Sequence, residues 1–411
     1  RMRAVLVRPA GLAAALVFSA AACSDVPTSP APVPETAPVV TARVAQSIYD
    51  LQDWLNDQFP NLGRRRSSNL PLLVGAGDIA ECYDGTPPPL PGAQVDPKGS
   101  DAEKTAQLLD QIPGTVITAG DNAYKFGTPF DFAECYHPTW GRHRSRTRPA
   151  TGNHEYMTPG ALGHYLYFGR RSAPPHGYYS YNVSVGRQRW HIVALNSTTQ
   201  VYECYPPELY EAQEQVANHP WPTWWTQWGP PQLASRPTDW VTGRACLGDA
   251  AQQAWLIADL AKHRRYECTL VYFHHARFSS GQHGNHPQMQ RIWEILYANG
   301  VDVVVAAHDH NYERFAPQNY KGDADDTYGI RQFVVGTGGG HLREVDEATK
   351  EPNSEVIIEF KFGVIAVALR ANAYSWALVG VDRTILDSGS GTCHGRPPAA
   401  SVPPLPSSVG G

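Results

Sequence analysis

Thr115-Val116-Ile117-Thr118-Ala119-Gly120-Asp121-Asn122-Ala123-Tyr124 is the stretch whose reading decides the fold. Its first five residues are apolar or β-branched, the pattern of a short buried strand. Gly120 and Asp121 end the strand and deliver a carboxylate at the rim of a sheet. Three residues after Asp121, the Tyr124 phenol can turn back toward the same point. A carboxylate and a phenol aimed at one spot form an oxygen-rich site for a hard cation. Gly-Asp-Asn is also ordinary turn chemistry, so the reading depends on partners elsewhere.

Four other strand-like runs end in the same way. Pro71-Leu72-Leu73-Val74 leads to Gly77-Asp78, and Thr147 to Thr151 leads to Gly152-Asn153-His154-Glu155. Thr269-Leu270-Val271-Tyr272-Phe273 ends in His274, and Val301 to Ala307 ends in His308-Asp309-His310. Taken singly, Asp78 and Asp121 read as helix caps, Asn153 as a turn residue and His274 as a satisfied core histidine. Taken together and in this order, they deliver metal-ligand side chains to the carboxyl ends of strands, where α/β sheets bind ligands.

The 411 residues are enough for one large α/β domain, and 42% apolar content supports a sizeable core. Net charge is −5, and basic residues cluster only at Arg64-Arg65-Arg66 and from Arg142 to Arg148. Nothing in that distribution is a nucleic-acid footprint.

Arg1, Arg3 and Arg8 precede an apolar stretch from Gly11 to Ala22, followed by Cys23. This is the layout of a signal peptide over residues 1–22, with an apolar region too short to span a membrane. Small residues directly before Cys23 resemble a bacterial lipoprotein signal, which implies lipidation at Cys23; the alternative is an ordinary signal peptide. The expected location is periplasmic or extracellular, with membrane contact only through that anchor. Residues 23–43 read as a Pro-rich tether and 44–69 as a helix and linker.

The main domain then starts at Leu70. Ser100 is placed to cap a helix from Asp101 to Gln111, with Glu103 completing a capping box. Tyr178 to Val185 and Trp190 to Asn196 read as paired strands. A Trp-rich insertion occupies 200–248, bracketed by Cys204 and Cys246. Ala250 to His263 and Ile292 to Ala298 have helical spacing, and Val356 to Leu386 alternates as antiparallel strands. Residues 394–411 read as a disordered tail.

The segments Gly77-Asp78, Gly120 to Tyr124, Gly152 to Glu155, Val271 to His275 and His308 to Arg314 together resemble the calcineurin-like metallophosphoesterase superfamily. Within it they are most similar to the purple acid phosphatase branch. The resemblance covers roughly Leu70 to Cys393 and implies an α/β (α+β) fold, a four-layer α/β/β/α sandwich of two mixed sheets flanked by helices. It implies two metals about 3.5–4 Å apart. Asp121 would bridge them; Asp78, Tyr124 and His310 would complete one site, and Asn153, His274 and His308 the other. Ala80 stands where many relatives have a histidine, which makes Tyr124 the replacement ligand and favours Fe(III) beside Zn, Mn or Fe(II).

The implied activity is hydrolysis of phosphate monoesters by a metal-bound hydroxide, as in an acid phosphatase. His154 is the expected catalytic histidine, with Glu155 orienting it. Asn153, His154 and His283 are expected to contact substrate; His286 is a weaker candidate, and His275, Arg277 and His341 are weaker still. Asn311 and Arg314 are expected to be structural. Two other readings stay open: a phosphodiesterase on nucleotides or phospholipids, and a non-catalytic lipoprotein that binds metal or phosphate. Six cysteines remain after Cys23 in an exported chain. The expected pairs are Cys82–Cys135, whose members follow metal-ligand segments, Cys204–Cys246, which would close the insertion, and Cys268–Cys393.

Overall fold

A computed structural model describes residues 71–81, 100–201, 250–265 and 268–398. The signal, Cys23, tether, N-terminal helix and linker, the insertion from residue 202 onward, and Cys82, Cys204 and Cys246 lie outside the described residues.

In chain order the first half contains β1 (Leu72–Ala76), α1 (Asp101–Gln111), β2 (Thr115–Ala119), β3 (Thr147–Ala150), α2 (Asn153–Met157), α3 (Leu162–Phe168), β4 (Tyr179–Val185) and β5 (Gln188–Ala194). The second half contains α4 (Ala250–Lys262), β6 (Cys268–His275), α5 (Gln290–Ala298), β7 (Val303–Ala307), β8 (Tyr312–Phe315), β9 (Arg331–Val335), β10 (Ser354–Ile358), β11 (Gly363–Arg370), β12 (Ala373–Gly380) and β13 (Ile385–Thr392). Ser100 does cap α1, its Oγ accepting from the Glu103 N–H at 3.2 Å. Only that half of the expected box forms, because the Glu103 carboxylate is turned outward to the Arg142 guanidinium, 2.6 Å away.

The strands make two mixed sheets. One has the order β13-β12-β11-β1-β2-β3, the other β10-β8-β9-β7-β6-β5-β4. β1, β2 and β3 run parallel, and β11 closes on β1 antiparallel. In the second sheet β5, β6, β7 and β9 run parallel, as short apolar runs buried on both faces should.

Strand alternation explains the layering. Ile192, Leu270, Tyr272, Val303 and Val305 face the first sheet and share its core with Val74, Ile117 and Val367. Their neighbours Val193, Val271, Phe273, Val304 and Ala306 face the other way, onto Leu256 and Leu260 of α4 and Ile292, Trp293 and Leu296 of α5. Fully burying each of the Val, Leu, Ile and Phe side chains among them contributes about 1.5–3 kcal/mol. On the outer side of the first sheet, Ala102, Ala106 and Leu109 of α1 are buried. A disulfide ties the two sheets together. Cys268 opens β6 and Cys393 follows β13, with a Cα–Cα distance of 5.4 Å. Ordered packing continues past it. The His394 N–H donates to Asp302 Oδ1 at 2.7 Å, so the segment expected as tail from 394 begins on the domain.

Candidate metal centre

The loops leaving β1 and β2 are zipped together. Asp78 N–H donates to Gly120 O, Ile79 N–H to Asp121 O and Ala80 N–H to Asn122 O, at 2.9 to 3.2 Å, and Tyr124 N–H donates back to Ala80 O at 2.9 Å. That pairing brings Asp78, Asp121 and Tyr124 to one point. Asp78, Asp121 and His308 all have left-handed backbone, with φ of 56°, 47° and 74°. Non-glycine residues held there cost of order 1–3 kcal/mol each and cluster at functional sites. Gly152 is needed for closeness, because a Cβ there would stand 2.2 Å from Asp121 Oδ1.

Two donor groups share Asp121. In the first, Tyr124 Oη lies 2.7 Å from Asp78 Oδ1, 3.1 Å from Asp121 Oδ2 and 3.2 Å from His310 Nε2. In the second, His274 Nε2 lies 3.0 Å from Asn153 Oδ1, 3.1 Å from Asp121 Oδ2 and 3.1 Å from His308 Nδ1. Donors bound at about 2.0–2.2 Å to a common cation are separated by about 3 Å or slightly more, so both groups fit one. The far nitrogens are already used: His274 Nδ1 meets Ala119 O at 2.8 Å, and His310 Nδ1 meets His341 O at 2.5 Å. Such contacts fix the ring so that Nε2 carries the lone pair toward a metal. Carboxylates, amide and phenol come from the first sheet and the imidazoles from the second.

The electrostatics suit a cation. Burial would push the His274 imidazolium down, but the Asp121 and Asp78 carboxylates raise it to about 10. Asp121 is held low despite burial by His274 and His154. Burial, then the Asp121 and Asp78 charges, push the Tyr124 phenol well above its ordinary value. His308 is pushed well below its ordinary value by burial and by its neighbours His275 and His274, and its buried Nε2 has no partner among the described residues. A cation bound here would displace the proton on His274 and balance the buried carboxylates.

His154 stands at the open side. Its N–H donates to Asp121 Oδ1 at 2.9 Å, its Nδ1 meets Lys125 O at 2.6 Å, and its Nε2 lies 3.8 Å from Asp121 Oδ2. The expected orienting role of Glu155 is not what the geometry gives. Its buried carboxylate turns away from the ring and accepts four backbone N–H groups, from Asp121, Asn122, Ala123 and Gly152, at 2.7 to 3.3 Å. Glu155 therefore braces the loop that carries Asp121 and Tyr124. Burial and the Asp121 charge raise its carboxyl to about 7 against those donors.

Asp309 and Glu313 do the same for the loop after β6, a role that two acidic residues in a histidine-rich motif did not announce. Asp309 accepts from Ser279 Oγ and the His283 N–H; Glu313 accepts from the Ser280 N–H and Oγ. This loop lays the His283 ring 4.2 Å from the His308 ring, and places His286 at 5.0 Å. His275 points to Ser197 Oγ at 2.8 Å, Arg277 bonds Gln290, and His341 contributes its backbone oxygen. Arg314 is tied to Asp387 and Glu355. Cys135 is buried and disulfide-bonded.

A curated relative, purple acid phosphatase 18 of Arabidopsis thaliana, is 34% identical over 119 residues, 27% of this chain. A second, named probable inactive purple acid phosphatase 1 of the same plant, is 28% identical over 133 residues, 29% of this chain. These matches span 26% and 20% of the two relatives' lengths. Among solved structures, GAP50, titled the anchor in the inner membrane complex of Plasmodium, aligns over 79% of this chain and 90% of its own, with a TM-score of 0.55 at 11% identity. That likeness supports the fold of two mixed sheets flanked by helices. The family model for calcineurin-like phosphoesterase matches residues 22–312. With that match laid over the donor groups at the strand ends, the chain belongs to the calcineurin-like phosphoesterase family.

Proposed function

We propose that this chain is an exported dinuclear metallophosphatase that hydrolyses phosphate monoesters, in the manner of a purple acid phosphatase. One observation carries the reading: Asp121 is shared between two donor groups, each closed by a histidine of the second sheet. Asp78, Asp121, Tyr124 and His310 would hold one cation, and Asp121, Asn153, His274 and His308 the other. The phenol oxygen of Tyr124 favours Fe(III) in the first group, with Zn, Mn or Fe(II) in the second. When bound, such a pair supplies Lewis-acid polarisation of the phosphoryl oxygens and a water of lowered pKa. The protein's own part is positioning. The Lys125 carbonyl holds His154 Nδ1, which leaves Nε2 beside the donor groups, 3.8 Å from Asp121 Oδ2, where it can bond a phosphoryl oxygen or protonate the leaving oxygen. Asn153 is oriented beside it by α2. The Cys268–Cys393 disulfide supports export.

Elemental analysis, a visible spectrum and assays on p-nitrophenyl phosphate and its bis ester test this on the full chain. The expected results are two metals per chain, a visible band that Tyr124→Phe abolishes, and faster hydrolysis of the monoester. Two bound metals with neither ester hydrolysed would favour the non-catalytic reading that the name of the second plant relative brings to mind.

A further inference from the structure

Beside the two donor groups stands the Arg343 guanidinium, which no carboxylate among the described residues pairs with. Arg343 lies just past Gly338-Gly339-Gly340 in the loop after β9, and its backbone N–H donates to His310 O at 3.1 Å. Its Nη1 donates to His283 Nε2 at 2.8 Å. The His283 ring lies against that of His308, and the His283 backbone N–H donates to Asp309 Oδ1 at 2.8 Å. Arg343 thus links the backbone of His310 in one donor group to a ring lying against His308 of the other. It is partly exposed, and among the described residues no carboxylate pairs with it. A half-buried guanidinium needs an anion. Its fork of donors matches phosphate oxygens two at a time, and among the described residues only Nη1 is occupied.

We infer that Arg343 is the substrate-recognition cation of this centre: held by His283, its guanidinium binds the non-bridging oxygens of a dianionic phosphate monoester. The inference rests on the hydrolase reading above and sharpens its substrate class. It also revises His283 from a substrate contact to a positioning residue, because its Nε2 is already taken as an acceptor. A diester carries one charge fewer and offers one oxygen fewer to the fork, so Arg343 discriminates between the two.

The test uses the full-length, metal-loaded chain with inorganic phosphate as the probe, followed by calorimetry, beside kinetics on p-nitrophenyl phosphate and its bis ester. Arg343→Ala is expected to weaken phosphate binding about 10- to 100-fold and raise KM for the monoester to match, with a smaller fall in kcat; the diester loses about 3-fold. Arg343→Lys recovers part of the loss. His283→Ala weakens phosphate less, and the double variant is no weaker than Arg343→Ala, because both act through one contact. Metal content and melting temperature serve as folding controls. Unchanged phosphate affinity in Arg343→Ala, or equal losses for the two esters, overturns the inference. If the wild-type chain binds phosphate but hydrolyses neither ester, the hydrolase reading fails while the phosphate titration still decides Arg343. If it binds no phosphate with metals loaded, both fall.

Discussion

Glu155→Ala removes a side chain that touches no substrate, yet it should disable the centre. The Glu155 carboxylate is fully buried and satisfies four backbone N–H groups in the two loops around Asp121. An orphaned buried donor costs about 1–3 kcal/mol, so four orphans set an upper range of about 4–12 kcal/mol. Water entering the vacated space would satisfy some of them, which brings the expected loss to about 3–5 kcal/mol. Glu155→Gln keeps the shape but turns an NH2 group toward the same donors, and should cost about 2–3 kcal/mol. Urea unfolding of the metal-free variants reads this term directly. Equilibrium dialysis then reads its consequence, since Asp121 sits between the donor groups and its loop loses its brace. Both variants are expected to retain less metal than wild type. A stability loss below about 1 kcal/mol in Glu155→Ala, with full metal content, would refute the bracing role.

His164 is buried against Phe132, Tyr165 and Phe168, neither ring nitrogen has a partner among the described residues, and burial lowers it to about 3. Below pH 6.5 the unfolded chain takes up a proton that the folded chain refuses, so stability should fall by up to about 1.4 kcal/mol per pH unit from 6.5 toward 3, or about 2 kcal/mol by pH 5. Urea midpoints measured across that window should show a shallower acid slope in His164→Leu; an unchanged slope would contradict it. The Cys268–Cys393 bridge spans 125 residues, and the Cys268→Ser/Cys393→Ser double variant should lose about 2–5 kcal/mol, read by the same denaturation. Asp121→Ala should empty both donor groups, whereas His154→Ala should keep two metals per chain by elemental analysis and slow turnover; metal loss in His154→Ala would move that residue into the donor set.

The donors were readable because each ends a short apolar run, and a strand has only one end at which a sheet binds ligands. Asp78, Asp121, Asn153, His274, His308 and His310 meet through that rule alone. The braces were not readable. Glu155, Asp309 and Glu313 act through backbone N–H groups that no side-chain pattern reveals, so sequence alone assigns a carboxylate next to a histidine to that histidine. Arg343 was missed for a related reason: it sits in a loop without periodicity, 60 residues from its partner His283. Apart from β8, the existence of the strands is legible, but their allocation to two sheets is not, since pairing depends on which apolar faces meet. The four-residue β8 was hidden inside the His308 to Arg314 motif, where side-chain chemistry overshadowed the alternation of Tyr312 and Phe315.

Oxygen donors hang from one sheet and imidazoles from the other, and this division makes the centre a rivet through the molecule's midplane. Three contacts across that plane hold it in register: Gly77 N–H to Val335 O, His274 Nδ1 to Ala119 O and His308 N–H to Asp78 Oδ2. Any slide of one layer over the other would stretch both donor groups at once, because Asp121 belongs to each. The centre is therefore only as stiff as the packing between the layers. A core substitution at Tyr272 or Val305, which face the first sheet and are not themselves donors, acts on the same gauge.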